Sequence, residues 1–132
     1  MVRNRYFDDI EKAIRGEVNP IDAFNASLAL LNFKTVEVKI YDLLLKTSLT
    51  IKEIQGQLDV SERSIRMHIK KLEEEGLITK KVEQGTRLRY VYQSVQIRDA
   101  WEKVEEKIKK MLDDISKVIE TGAPASRNGA NE

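Results

Sequence analysis

The sequence has no cysteine, one histidine, two prolines and an aromatic share of only 6%. Without a thiol there is no disulfide framework, thiolate metal site, nucleophilic thiol or redox switch. One histidine leaves no Cys-His pair and no zinc set, and the order of residues offers no Ser-His-Asp arrangement within the chain. The acid pairs Asp8-Asp9, Glu105-Glu106 and Asp113-Asp114 are adjacent on helical segments, so they point apart and cannot work as a general acid-base pair. The six glycines are scattered and form no phosphate-binding loop. The expectation is a protein without catalytic residues, cofactor or metal. No apolar run approaches the roughly 20 residues that span a bilayer. The start Met1-Val-Arg-Asn-Arg has no apolar leader core either. A cytoplasmic, nucleoid-associated protein without a membrane partner is expected.

What the 132 residues do have is charge, 34% of the chain, in near balance at 23 basic and 22 acidic side chains. Its distribution is uneven. Residues 1–60 hold 8 basic and 9 acidic side chains, residues 61–90 hold 8 and 5, and residues 91–132 hold 7 and 8. The surplus of positive charge lies in one 30-residue stretch, as expected for an anionic partner docked on one face. The 41% of hydrophobic residues is enough for one compact domain with an appended element.

Periodicity places the elements. Tyr6, Ile10, Ala13 and Ile14 form a helical stripe that stops at Gly16. Asn19-Pro20-Ile21-Asp22 caps a second helix carrying Ile21, Phe24, Leu28 and Leu31. The segment 35–46 has apolar positions Val36, Ile40, Leu43 and Leu44, widened by Val38, Tyr41 and Leu45, and predicts a central core helix. Ser48-Leu49 allows a single strand-like bridge. Thr50-Ile51-Lys52-Glu53 is a capping box that opens a helix to about Leu58. After the turn at Asp59-Val60, Ser61 caps a helix with Ile65, Ile69 and Leu72 inside and a stop at Gly76. Alternation from Thr79 to Glu83 and from Arg87 to Tyr92, around a Gln84-Gly85-Thr86 turn, predicts a β-hairpin.

Helix, helix, tight turn, helix and hairpin is a winged helix-turn-helix, a mainly α fold with a small β-hairpin wing, in which the second helix of the pair enters the major groove. At about 100° per residue, Arg63, Met67, Lys70 and Glu74 lie opposite the buried stripe of helix 61–75, with Arg66 and Lys71 on its flanks. Ser61 and Ser64 add hydroxyls near its start. Basic side chains there suit DNA, because free backbone amides donate to a phosphate and arginine reads guanine bidentately. In the wing, Lys80, Lys81, Arg87 and Arg89 can grip the backbone. The site residues expected to meet DNA are therefore Ser61, Arg63, Ser64, Arg66, Met67, Lys70, Lys71, Lys80, Lys81, Arg87 and Arg89. His68 sits at the edge of the buried face, packed or near a phosphate.

The stretch from Thr50 to Ile78, with Asn32 to Lys46 as core helix, resembles the winged-helix domain of small archaeal transcription regulators of the TrmB-like and Lrs-type groups, and more distantly MarR and ArsR proteins. The resemblance covers about Leu31 to Tyr92. It implies a dimeric archaeal transcription factor with recognition helix 61–75 and a wing over 80–92. Gln55, Asp59, Glu62 and Arg66 depart from the residues usual there, so base preference does not carry over. Asp59 tolerates the left-handed turn better than most residues.

From Ile97 the positions Ile97, Trp101, Val104, Ile108, Met111, Ile115 and Val118 keep a repeat of 3.5 residues, broadened by Leu112 and Ile119. These nine residues are expected to form a coiled-coil seam with a second copy, antiparallel because apolar e positions weaken parallel ion pairing. The other reading of this helix is packing on its own domain. A paired helix over Ile97 to Ile119 is about 34 Å long, close to the spacing of successive major-groove half-sites. The organisation expected is N-terminal helices over 1–33, a winged helix-turn-helix over 34–95, a dimerisation helix over 96–120 and a disordered tail over 121–132.

The expected function is sequence-specific transcription regulation by a homodimer on double-stranded DNA, with no identifiable small-molecule effector. An architectural DNA-binding protein and a protein-interaction adaptor are the alternatives. Tyr90, Tyr92 and Ser94 are also expected beside the phosphate grip, where phosphorylation would add about −2 charges.

Overall fold

A computed structural model describes residues 5–123. The order is α1 (Arg5–Ile14), α2 (Pro20–Leu30), α3 (Thr35–Lys46), α4 (Ile51–Leu58), α5 (Glu62–Glu74), β1 (Ile78–Gln84), β2 (Leu88–Ser94) and α6 (Ile97–Thr121). This is the winged helix-turn-helix with a long C-terminal helix. Of the tail expected over 121–132, the part beyond Ala123 lies outside the described residues. Among the described residues no helix is long and apolar enough to cross a membrane.

Local signals set the element ends. The Asn19 side chain accepts from the Asp22 amide at 2.9 Å. Thr50 and Glu53 exchange both capping bonds, at 2.8 and 3.1 Å. The Ser61 hydroxyl accepts from the Ser64 amide at 3.2 Å. α5 ends with the Leu77 amide reaching back to the Leu72 carbonyl at 2.9 Å, and Gly76 takes the left-handed conformation this requires. Asp59 is also left-handed, at φ 53°, between α4 and α5. Relief of that backbone cost predicts that Asp59→Gly stabilises the domain by about 0.5 kcal/mol, read as a higher urea midpoint at unchanged slope.

Leu28, Ile40, Leu44, Ile54, Ile65 and Leu72 are wholly buried where α2, α3, α4 and α5 meet. Each contributes roughly 1.5–3 kcal/mol by leaving water. Phe24 and Tyr41 pack with ring centroids 5.1 Å apart. The Tyr41 hydroxyl donates to the Val95 carbonyl at 2.9 Å, and Ser94 donates to the Tyr41 carbonyl at 2.8 Å, which ties α3 to the root of the wing.

The wing is an antiparallel pair in the register Lys80↔Tyr92 and Gln84↔Leu88. The loop is therefore Gly85-Thr86-Arg87, one residue later than the turn expected at 84–86, because Gln84 still pairs. Leu49 bridges Tyr92 on the other edge, as the short Ser48-Leu49 segment suggests. The first part of α6 packs at home: Ala100 and Val104 are buried, and Ile97 and Ile108 lie against the same core. Lys107 pairs with Glu75 at 3.0 Å. From Met111 onward the apolar stripe is exposed.

Candidate nucleic-acid interface

α4 and α5 meet at the left-handed Asp59 turn. Lys52, Gln55 and Gly56 of α4 line a depression with Asp59, Val60, Ser61 and Glu62. Lys52 is a cation that reading along the chain passed over as part of a capping box. It is exposed beside the first turn of α5. Farther along, Arg63, Arg66, Met67 and Lys70 line a shallow cleft with Glu62. Arg63, Met67 and Lys70 are exposed, Met67 to 61%.

The basic side chains differ in how free they are. Arg66 is held by Glu62 one turn back, with nitrogens at 2.8 and 3.1 Å from one carboxylate oxygen. Arg89 is held in the same way by Glu83 across the wing, at 2.9 and 3.1 Å. The Lys80 ammonium lies 4.8 Å from the centre of the Tyr90 ring. Among the described residues Lys80 has no ion pair, and Lys52, Arg63, Lys70, Lys81 and Arg87 have neither an ion pair nor a ring contact. Strand alternation also divides the wing. Lys81 and Arg89 share one face, Lys80 shares the other with Val82, Leu88 and Tyr90, and Arg87 stands in the loop.

Lys71 turns inward. Its ammonium is 3.3 Å from a Glu37 carboxylate oxygen, 3.3 Å from the Asn32 carbonyl and 4.5 Å from the centre of the Phe33 ring. Glu37, on α3, is buried at 2% exposure. Its Oε1 also accepts from the Lys34 amide at 2.8 Å, and its Oε2 faces His68 Nδ1 at 2.9 Å. The other ring nitrogen of His68 is 3.3 Å from the Ser64 hydroxyl. His68 is itself buried.

This row corrects the expectation that no Ser-His-acid arrangement exists, because the acid comes from 31 residues away. An oxyanion needs free donors, and the amides of Ser64 and Ile65 are both spent on Ser61. Among the described residues no cluster of His, Cys, Asp or Glu could hold a metal.

Reading along the chain missed Glu37, yet a signal was present. Glu37 stands three and four residues before Ile40 and Tyr41 and seven before Leu44, in line with the buried stripe of α3. Two of the three hydroxyls expected beside the phosphate grip also prove inaccessible. Tyr92 and Ser94 are buried, and only Tyr90 is exposed.

Of the nine residues expected at a dimer seam, Ile97, Val104 and Ile108 lie against the protomer's own core. Trp101, Met111, Leu112, Ile115, Val118 and Ile119 are exposed. Where α1 and α2 meet α6, an apolar groove of about 520 Å³ is lined by Ile10, Ile14, Phe24, Ile97 and Trp101, with Arg98 at its side.

Residues 37–87 match the family model of a helix-turn-helix domain. Among solved structures the chain is similar to a possible transcriptional regulator from Methanosarcina mazei Go1, 12% identical over 68% of this chain and 79% of that one, with a TM-score of 0.60. It is also similar to the transcriptional regulator BldR from Sulfolobus solfataricus, at 20% identity over 86% and 84% of the two chains, TM-score 0.47. The transcriptional regulator YodB from B. subtilis is 19% identical over 74% and 93%, TM-score 0.49. No curated protein matches the sequence. The first likeness and the domain match agree on the fold.

Proposed function

We propose that the chain is a DNA-binding transcription regulator that acts as a homodimer, with α5 in the major groove and the wing on the flanking backbone. The observation that carries this reading is the outer face of α5. Arg63 and Lys70 stand exposed and free of ion pairs around Met67, on the second helix of a helix-turn-helix. Lys52, Lys81 and Arg87 supply further unpaired charge for phosphates. The helix-turn-helix match and the fold shared with a possible regulator support DNA-binding transcription control. In this reading residues 34–95 are the DNA-binding unit, residues 1–33, of which 1–4 lie outside the described residues, pack on it through α2, and residues 96–120 join two copies. Sequence specificity rests on Arg63, Met67 and Lys70, with Ser61 and Ser64 at the helix start.

Fluorescence anisotropy on a random duplex and on DNA upstream of the protein's own gene tests the reading. A dimer that neutralises about 6 to 8 phosphates gives a log K against log salt slope of about −5 to −7. Arg63→Ala should weaken binding more than Arg66→Ala, because Glu62 already holds the Arg66 guanidinium. Arg87→Ala should lower affinity equally for all sequences. Equal affinity for both duplexes, indifferent to Arg63, would leave an architectural protein. No binding at low salt would favour an adaptor, for which the exposed Val82, Leu88 and Tyr90 on one wing face offer a protein contact.

A further inference from the structure

Ser64 lies on the flank of α5, between the buried stripe and the exposed cationic face, and its hydroxyl is bonded to a buried imidazole. The direction of that bond follows from the far end of the row. Glu37 Oε1 accepts from the Lys34 amide and from Lys71, and Oε2 is left for His68. An ionised carboxylate only accepts. The Nδ1 atom of His68 must therefore carry the hydrogen, and in the neutral ring Nε2 is then an acceptor. The Ser64 hydroxyl has one hydrogen, and it goes to Nε2. What Ser64 can still offer outward is a pair of acceptor sites.

We propose that Glu37 and His68 fix the Ser64 hydroxyl as an acceptor, so that α5 reads an exocyclic amine, adenine N6 or cytosine N4, at the position Ser64 faces. Without the row a serine hydroxyl is ambiguous, because it donates to purine N7 or thymine O4 as readily as it accepts from an amine. His68 and Glu37 are thus positioning residues for base choice, and neither touches DNA. The inference rests on the DNA-binding reading above.

Glu37→Gln inverts the row with almost no change of shape. The two donors at Oε1, the Lys34 amide and Lys71, hold the glutamine carbonyl there. The amide nitrogen then faces Nδ1 and donates to it, the ring hydrogen moves to Nε2, and Ser64 becomes free to donate outward.

The test has two parts, both at pH 8 on the full chain. Nitrogen-15 NMR of the single histidine should show an Nδ1-H ring in the wild type and an Nε2-H ring in Glu37→Gln. Selection from randomised duplexes should give an amine-bearing base at one position for the wild type. That preference should shift about tenfold toward guanine or thymine in Glu37→Gln and vanish in Ser64→Ala, with or without Glu37→Gln. An Nε2-H or doubly protonated ring in the wild type overturns the proposal, as does a base preference that Glu37→Gln leaves unchanged. Failure of the wild type to bind any duplex overturns the regulator reading and the base-reading role with it. The NMR result still decides the direction of the row.

Discussion

Glu37→Ala is expected to cost the domain about 2–3 kcal/mol at pH 7, read as a fall of roughly 10 °C in the melting midpoint. The carboxylate joins α3 to α5 by accepting from His68 and Lys71, and it caps its own helix at the Lys34 amide. Its loss leaves buried His68 without an acceptor, and Lys71 must turn out to water. Burial acts most strongly on this carboxyl and alone would push its pKa up. The bonds from Lys34, His68 and Lys71 together outweigh burial and hold the pKa below its ordinary 4.5. The stabilisation from ionised Glu37 is therefore complete above about pH 4.5 and is lost as pH falls through the lower folded value. The gap between Glu37→Ala and wild type should narrow below pH 4.5. Glu37→Gln, which can keep every partner, should cost only about 1 kcal/mol. Equal melting of Glu37→Ala and wild type at pH 7 would show that the row adds nothing to stability.

The same residue marks the limit of what could be read along the chain. Three helix starts depended on neighbours: Asn19 with Asp22, Thr50 with Glu53, Ser61 with Ser64. Such signals act within four residues and so are written in the sequence. Gly76 and Asp59 took the left-handed conformations that their positions required, for the same reason. The bond between Glu37 and His68 depends on the packing of α3 against α5, and helical periodicity gives the inner face of each helix without naming its partner. A glutamate in a first helical turn also has an ordinary explanation in the helix dipole. Lys71 was read as a flanking cation without its carboxylate partner, because that partner belongs to another helix.

The wing shows a different limit. Alternation gave the hairpin, but the pairing Gln84↔Leu88 moved the loop by one residue and put Arg87 in it. Which cations are free then depended on Glu83, opposite Arg89, and on Tyr90, under Lys80. Net charge over 61–90 counts eight basic side chains alike. The fold leaves Arg63, Lys70, Lys81 and Arg87 unpaired among them, and these are the groups that can give up bound water and counterions to DNA at least internal cost.

Ile115→Glu is expected to turn the proposed dimer into a monomer and to lower DNA affinity by about 100-fold. α6 divides at Ile108. Ala100 and Val104 are buried in the protomer's own core, whereas Met111, Leu112, Ile115, Val118 and Ile119 are between 38% and 76% exposed. A regular seven-residue repeat could not show this division, since it continues unchanged from the half that packs at home into the half that does not. Five large apolar side chains in consecutive helical turns are costly to leave in water, and a second copy of the same stripe is a self-complementary cover. In the proposed dimer a glutamate at Ile115 would put a charge into the apolar contact. One DNA-binding unit would then bind without the other, and the gain from simultaneous engagement would be lost. Because Ile115 is 56% exposed in the single chain, its replacement should leave the protomer folded, with unchanged far-ultraviolet circular dichroism. Val104→Glu is the contrast: with 3% exposure it should unfold the domain. Sedimentation at about 10 μM separates these cases. A wild type that sediments as a monomer, or an Ile115→Glu variant that unfolds as Val104→Glu does, would return the whole of α6 to its own domain.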